Sequence, residues 1–254
     1  MGQTQATPEV KALMNEFITN EFKGIMKKTS QADFTQNFGE SVKYASNRTK
    51  EYLLFQDPEN TFRPSAATLN EVFLMTYINQ SVYLQLTETF NCTTMTKEQE
   101  ILLGADWVWA LIDAPSKNPK VQIAVQVFHL SEEEGKPAKG DQVEMLTESM
   151  EIAKMESADK SKPEKMIEFC SSIGKDCYAL FLFFGRQNDP GNIYGVLSNN
   201  FQAAFGKGAK IDQAFVENFF KGSKTFVTPA KMLQTIAQKE KKHDEPLTMV
   251  IKFT

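Results

Sequence analysis

Two apolar segments joined by a short polar turn are the strongest constraint on how this chain can fold. Residues 106–113 and 121–130 are rich in β-branched and aromatic side chains, and Pro115 and Pro119 lie between them. Segments of this composition form strands, and strands joined by so short a connection run antiparallel. The pattern therefore predicts a β-hairpin in the interior of the chain.

Further periodic segments surround this hairpin. Residues 177–184 are continuously apolar, which is typical of a strand covered on both faces. Alternation over residues 82–86 and the apolar end of the chain, 247–253, predict two more strands. Spacings of three and four residues predict helices at about 8–29, 31–56, 66–78, 142–154, 166–173, 196–205, 211–221 and after Pro229. The predicted fold class is α/β, a mixed β-sheet flanked by helices, with extra N- and C-terminal helices.

The same patterns divide the chain of 254 residues into three regions. Residues 1–60 are expected to be helical, and a cluster of turn-forming residues ends this region. Residues 61–205 are expected to form the α/β core. Residues 206–254 would then add C-terminal helices and a closing strand.

Composition limits the classes of function. A hydrophobic content of 41% and a charged content of 24% are typical of a soluble globular protein. The net charge of −4 provides no general attraction for nucleic acid. Three cysteines do not make a disulfide framework, and no apolar run is long enough for a membrane span. We therefore expect a cytoplasmic or nuclear protein that is not inserted in a membrane.

Three side chains around the hairpin are candidate catalytic and metal-binding residues. Glu100 precedes the first strand, Asp106 begins it, and Gln126 lies in the second strand. Their oxygen atoms are the ligand type that Mg²⁺ and Mn²⁺ prefer. Each has a simpler interpretation: Asp106 could cap a turn, Glu100 could be an ordinary exposed residue, and Gln126 could be a buried amide with hydrogen-bond partners.

Glu100, the run Gly104-Ala105-Asp106-Trp107, Trp109 and Val125-Gln126 together resemble the PD-(D/E)xK restriction-endonuclease-like superfamily. The similarity is to the branch with a GADW…VQxK motif, and it covers roughly residues 65–205. It implies a restriction-endonuclease-like core with Mg²⁺ or Mn²⁺ bound by Glu100, Asp106 and Gln126. Such a metal polarises a phosphoryl oxygen and activates its bound water.

One residue departs from the motif. The lysine of the family corresponds to Phe128, which faces the same side of a strand as Gln126. Loss of one such electrostatic group costs about 10²- to 10³-fold in rate. His129 faces the other way. Lys136 or Lys139 in the following loop could swing back as a relocated lysine, although nothing in the sequence requires it. The leading prediction is a degenerate nuclease-like protein that acts by binding; the alternative is a metal-dependent phosphodiester hydrolase with a relocated lysine.

The partner follows least directly from the sequence. Phenylalanines are concentrated near both ends, at Phe17, Phe22, Phe34, Phe38, Phe201, Phe205, Phe215, Phe219 and Phe220. Exposed groups of this kind mark protein interfaces, so we expect a protein partner or a homo-oligomer. Packing of both helical regions on each other or on the sheet explains the same residues equally well. Nucleic acid is the second partner class, with Lys207, Lys210, Lys221 and Lys224 as its modest basic group.

Overall fold

The structure is a computed structural model that describes residues 31–113, 116–129, 147–157, 159–185, 189–205, 218, 222–223, 225–238 and 247–254. The chain divides into two compact units, Met1–Phe34 and Thr35–Thr254. Of the first unit, only residues 31–34 are described, and they are helical. The sheet and its core belong to the second unit, to which the following paragraphs refer.

One mixed sheet of six strands organises the second unit, and the strands lie side by side in chain order. Its strands are β1 (Phe90–Thr94), β2 (Trp107–Ile112), β3 (Pro119–His129), β4 (Cys177–Phe184), β5 (Ile193–Ser198) and β6 (Thr248–Lys252). β3 and β4 run parallel, and every other neighbouring pair is antiparallel. The predicted hairpin is confirmed as β2–β3.

Seven α-helices are present in the described residues and flank this sheet. They are α1 (Gln31–Leu53), α2 (Ala66–Tyr83), α3 (Lys97–Leu103), α4 (Glu148–Glu156), α5 (Lys162–Ile173), α6 (Phe201–Phe205) and α7 (Pro229–Ala237). The expected α/β class is therefore confirmed, including the extra helices toward both ends. None of the described helices combines the length and the hydropathy that a membrane span requires.

One face of the sheet is closed by aromatic packing. Trp107 and Trp109 are fully buried on this face, as expected for core residues. Phe38 of α1 meets Trp109 edge-on at 5.3 Å between ring centroids. Phe73 of α2 stacks on Trp107 at 5.8 Å. Edge-on and stacked pairs of this kind stabilise a core beyond the area they bury.

α5 covers the opposite face. Its Met166, Ile167 and Cys170 pack in one cluster with Ala124 of β3 and Phe181 of β4. The helix begins with a capping box in which Ser161 and Glu164 satisfy each other's backbone N–H groups. Because helices cover both faces, all eight residues of β4 are buried. The prediction of a doubly covered strand at 177–184 is confirmed.

Two expected elements are wrong. Residues 82–86 do not form a strand, because α2 continues to Tyr83 and a short 3-10 helix, Leu86–Glu88, follows it. The helix expected at 196–205 begins only at Phe201, since Ile193–Ser198 forms β5 between two other strands. Gly195 makes that pairing compact, because a Cβ there would approach Leu180 and Phe253 at 3.0 Å. The helices expected at 8–29 and 211–221 lie outside the described residues, apart from residue 218.

Candidate functional site

Asp106 lies at the entrance of β2 and bridges two elements with its carboxylate. Its Oδ1 accepts a hydrogen bond from Nζ of Lys162, the first residue of α5, at 2.6 Å. Its Oδ2 accepts from the backbone N–H of Val127 at 2.6 Å. Only 12% of the Asp106 side chain is exposed. Charge-assisted bonds this short are the strong ones, so the carboxylate is held in one orientation.

Gln126 lies directly opposite Asp106 on β3. The N–H of Asp106 donates to the carbonyl of Val125, and the carboxylate of Asp106 accepts from the N–H of Val127. The two residues that Asp106 contacts therefore flank Gln126 in the chain. Gln126 is 1% exposed, and neither its amide oxygen nor its amide nitrogen has a hydrogen-bond partner among the described residues. Burying an amide without hydrogen-bond partners costs free energy, so packing alone does not explain a glutamine at position 126.

Glu100, the third candidate residue predicted from the sequence, lies on α3. Its Oε2 lies 3.3 Å from Nζ of Lys97. Burial raises the pKa of Glu100 and the charge of Asp106 raises it further, whereas Lys97 and Lys162 oppose the rise. The carboxylates of Glu100 and Asp106 therefore lie within electrostatic reach of each other. We call Glu100, Asp106, Gln126 and Lys162 the Asp106 cluster.

Gly104 explains how the cluster comes together. It ends α3 with φ +70°, a left-handed conformation that glycine adopts without strain. A Cβ at this position would lie 2.1 Å from the carbonyl oxygen of Lys162 and 2.9 Å from the amide nitrogen of Met166. Only glycine allows the first turn of α5 to approach so closely. This approach brings the Lys162 side chain to Asp106.

Phe128 packs against the core. Its ring stacks on Phe181 at 5.7 Å and lies 5.3 Å from Phe183, on the face that α5 covers. His129 points to the opposite face and meets Phe184 edge-on at 5.3 Å. The expected orientations of both residues are confirmed. The Nε2 atom of His129 is buried and lacks a hydrogen-bond partner among the described residues.

Sequence reasoning missed Lys162. Lys136 and Lys139, the two lysines considered as replacements, lie outside the described residues. The signal that would have found Lys162 is the Ser161–Glu164 capping box with Pro163, which marks a helix start at residue 162. That start places a lysine at the end of the helix nearest the hairpin.

The Asp106 cluster does not fit a divalent metal in this arrangement. Lys162 places a positive charge on Oδ1 of Asp106, where a metal would bind, and Val127 occupies Oδ2. Within the described residues, no three His, Cys, Asp or Glu side chains are grouped as a metal site needs. The cluster therefore acts as an ionic link between the hairpin and α5.

A second candidate site is the solvent-facing side of α2. Leu69, Phe73 and Tyr77 are buried against the sheet. The opposite side exposes large apolar groups, which we call the α2 outer face: Met75 (57% exposed), Ile78 (39%), Val82 (58%) and Tyr83 (79%). Glu71 and Asn79, one turn before and one turn after Met75, are exposed as well. An exposed group of large apolar side chains flanked by polar ones is suited to a protein contact.

The residues predicted from phenylalanine content to form an interface are not those of the α2 outer face. Phe34, Phe38 and Phe201 are buried, so for them the expected exposed surface is wrong and the alternative of packing holds. Phe38 lies among Tyr77, Phe90 and Trp109. Phe17, Phe22, Phe215, Phe219 and Phe220 lie outside the described residues.

Comparison with known proteins identifies relatives. A family described as Rab15 effector matches residues 24–252. The mouse protein named Rab15 effector protein is 30% identical over 193 residues, which cover 76% of this chain and 80% of the mouse protein. The family match over residues 24–252 includes α1 to α7 and all six strands.

Proposed function

The chain belongs to the Rab15 effector family, and from this premise we propose that it is a binding protein that recognises a Rab-type small GTPase in its GTP-bound state. The single observation that carries the proposal is the family match over residues 24–252. An effector is, by definition, a protein that binds the active state of a GTPase. The γ-phosphate of GTP orders the switch segments that such a protein contacts.

The α2 outer face is the surface that we assign to this contact. Met75, Ile78 and Val82 follow one another at helical spacing, and Tyr83 continues the apolar surface at the end of the helix. Methionine and aromatic side chains are enriched in the cores of protein interfaces. The opposite side of the helix is fixed to the sheet through Phe73 and Tyr77. The partner therefore meets a rigid helix, which keeps the entropic cost of binding low.

A calorimetric titration tests the proposed function. The full chain is titrated with Rab15 that carries a non-hydrolysable GTP analogue, and separately with the same GTPase bound to GDP. We expect saturable binding that is at least about tenfold tighter for the GTP-analogue form, which corresponds to about 1.4 kcal/mol. Equal affinity for both forms, or no binding to either, would contradict the proposal. The molar mass in solution, measured in parallel, tests the alternative that the face is buried in a homo-oligomer.

A second proposal concerns the Asp106 cluster. We infer that it is the degenerate site of a PD-(D/E)xK-like ancestor, in which the Lys162 ammonium has replaced the metal ion. The Lys162–Asp106 distance of 2.6 Å and the resemblance of Gly104-Ala105-Asp106 and Gln126 to the family motif support it. The alternative is that Lys162 is itself the relocated lysine of a Mg²⁺- or Mn²⁺-dependent nuclease.

Metal binding and cleavage separate these alternatives. We expect no cleavage of single- or double-stranded DNA or RNA in Mn²⁺, and weak Mn²⁺ binding that Lys162→Ala strengthens by about tenfold or more. The strengthening is expected because the substitution exposes the Asp106 oxygen to the metal. Metal-dependent cleavage by the wild type that is absent from Asp106→Ala would support the nuclease instead.

A cytoplasmic or nuclear location remains part of the proposal. Cys92, Cys170 and Cys177 are free thiols. Free thiols, two of them buried, are what a reducing compartment maintains. Fractionation of cells that express the tagged chain tests this location, and recovery in the secreted fraction would contradict it.

A further inference from the structure

An open cavity of about 390 Å³ lies beside the Asp106 cluster, between α3, the end of α4 and the start of α5. Four lysines line it, at positions 154, 160, 162 and 165, together with Ser157, Ile101 and Glu100, whose carboxylate pairs with Lys97. Cavities of roughly 300 to 1,000 Å³ accommodate small molecules. The lining is cationic although the whole chain carries a net charge of −4. We call it the lysine cavity.

Two of these lysines are already neutralised. Lys162 pairs with Asp106, and Lys160 pairs with Glu168 at 2.6 Å. Lys154 and Lys165 form no ion pair with a carboxylate of the described residues. The cavity therefore presents about two uncompensated positive charges, which a dianion would balance.

Lys165 is the anchor of the cavity. It is half-buried, and its ammonium donates to two neutral oxygens at 2.8 Å, the carbonyl of Ile101 and the hydroxyl of Ser157. An ammonium has three N–H donors, so one remains for a ligand. Burial lowers the pKa of Lys165, and the neighbouring Lys162 lowers it further. A partly buried cation without a counter-ion is costly, and an anion in the cavity would remove that cost.

Side-chain ammonium groups are the donors that the cavity offers to a ligand. The N–H groups of Ser161 and Glu164 at the start of α5 are occupied by the capping box. The single hydroxyl proton of Ser157 is donated to the carbonyl of Ala153 at 2.7 Å. Ammonium groups that line one open space match the oxygen atoms of a phosphate group, which carries a charge of about −1.5 to −2 at neutral pH.

We propose that the lysine cavity binds a small phosphorylated molecule, with Lys165 and Lys154 as its principal contacts and Lys160 and Ser157 beside them. The phosphate group belongs either to a free soluble compound or to a lipid headgroup. Both sources present the same chemistry to the cavity. This site is independent of the proposed GTPase contact, because none of its lining residues lies on α2.

Calorimetry with the full chain tests the proposal in two arms. The soluble arm uses pyrophosphate and inositol hexakisphosphate, and the lipid arm uses sedimentation with vesicles of neutral lipid with and without a phosphoinositide. Binding in the soluble arm supports a free ligand, and binding confined to phosphoinositide vesicles supports the headgroup. No saturable binding in either arm would overturn the proposal.

Matched variants locate the binding. The double variant Lys154→Gln/Lys160→Gln changes only exposed side chains and is expected to fold, and we expect it to weaken binding at least tenfold. Lys165→Met should do the same, and Lys231→Gln on α7 should leave affinity within twofold. Unchanged affinity in the double variant would overturn the proposal. So would tight binding of an oligonucleotide, weakened in the same variant, without binding of either small phosphate compound.

Discussion

The ammonium of Lys162 lies 2.6 Å from Oδ1 of Asp106, although 56 residues separate them in the chain. The contact joins the start of α5 to the start of β2. It neutralises the carboxylate that the sequence predicts as a candidate metal ligand. A single ion pair therefore accounts both for the position of a helix and for the poor fit of this site to a divalent ion.

Removing the lysine should destabilise the fold, since Asp106 is only 12% exposed and its carboxylate would lose an ion-pair partner. We expect Lys162→Met to lower the free energy of unfolding by about 1 to 2 kcal/mol, a range reduced because the lysine side chain is 42% exposed. Urea denaturation measures it. Lys160→Met, which breaks the exposed pair with Glu168, is the control and should change stability by less than about 0.5 kcal/mol. Equal losses in both variants would show that the Asp106 link has no special role.

Gly104→Ala should be more damaging than most glycine substitutions. The new Cβ would meet the backbone of α5 at 2.1 Å and would require a left-handed conformation. We expect a loss of roughly 2 to 4 kcal/mol from strain and displaced packing. Gly222→Ala provides the comparison, because nothing lies within 4 Å of its Cβ position. A thermal melt of Gly104→Ala that overlays the wild type would refute the close-approach argument.

His129 should make stability depend on pH. Burial lowers its pKa from 6.5 to about 4, despite an opposing contribution from Asp106. Between these values the unfolded chain binds a proton at His129 that the folded chain does not bind, so stability falls as the pH falls from about 6.5 to 4. At about 1.4 kcal/mol per pKa unit, the loss by pH 4.5 is about 2.5 kcal/mol.

His129→Phe should remove this part of the pH dependence. A phenyl ring can retain the edge-on contact with Phe184 and cannot be protonated. Denaturation curves at pH 7.5 and 4.5 give the comparison. The decrease in stability should be about 2.5 kcal/mol smaller in the variant. An identical decrease in both proteins would exclude His129 as the titrating group.

The hairpin and its candidate residues could be predicted from the sequence because they depend on local patterns. Alternation places Gln126 and Phe128 on one face and His129 on the other, and the short turn forces β2 beside β3. The run Gly104-Ala105-Asp106 likewise indicates the end of a helix followed by the start of a strand. These features follow from neighbouring residues.

Features that depend on distant elements could not be predicted in the same way. Ile193–Ser198 pairs on both sides with strands far away in the chain, and this pairing overrides an apolar pattern compatible with a helix. From the sequence, Phe38 fits an interface as well as a core, and only its contacts with Trp109 and Phe90 identify it as a core residue. Lys162 reaches Asp106 only because the first turn of α5 packs closely against Gly104.

The central claim is that the α2 outer face binds a GTPase, and it is tested most directly by two matched pairs of substitutions. Met75→Glu/Val82→Glu places two charges on that face, and Ile152→Glu/Met155→Glu places two on the exposed side of α4. Both pairs replace exposed apolar residues, so circular dichroism should show an intact fold in each. Titration with Rab15 carrying the GTP analogue should show about 30-fold weaker binding for the α2 pair, or about 2 kcal/mol, and less than threefold change for the α4 pair. Wild-type affinity in the folded α2 pair would contradict the claim.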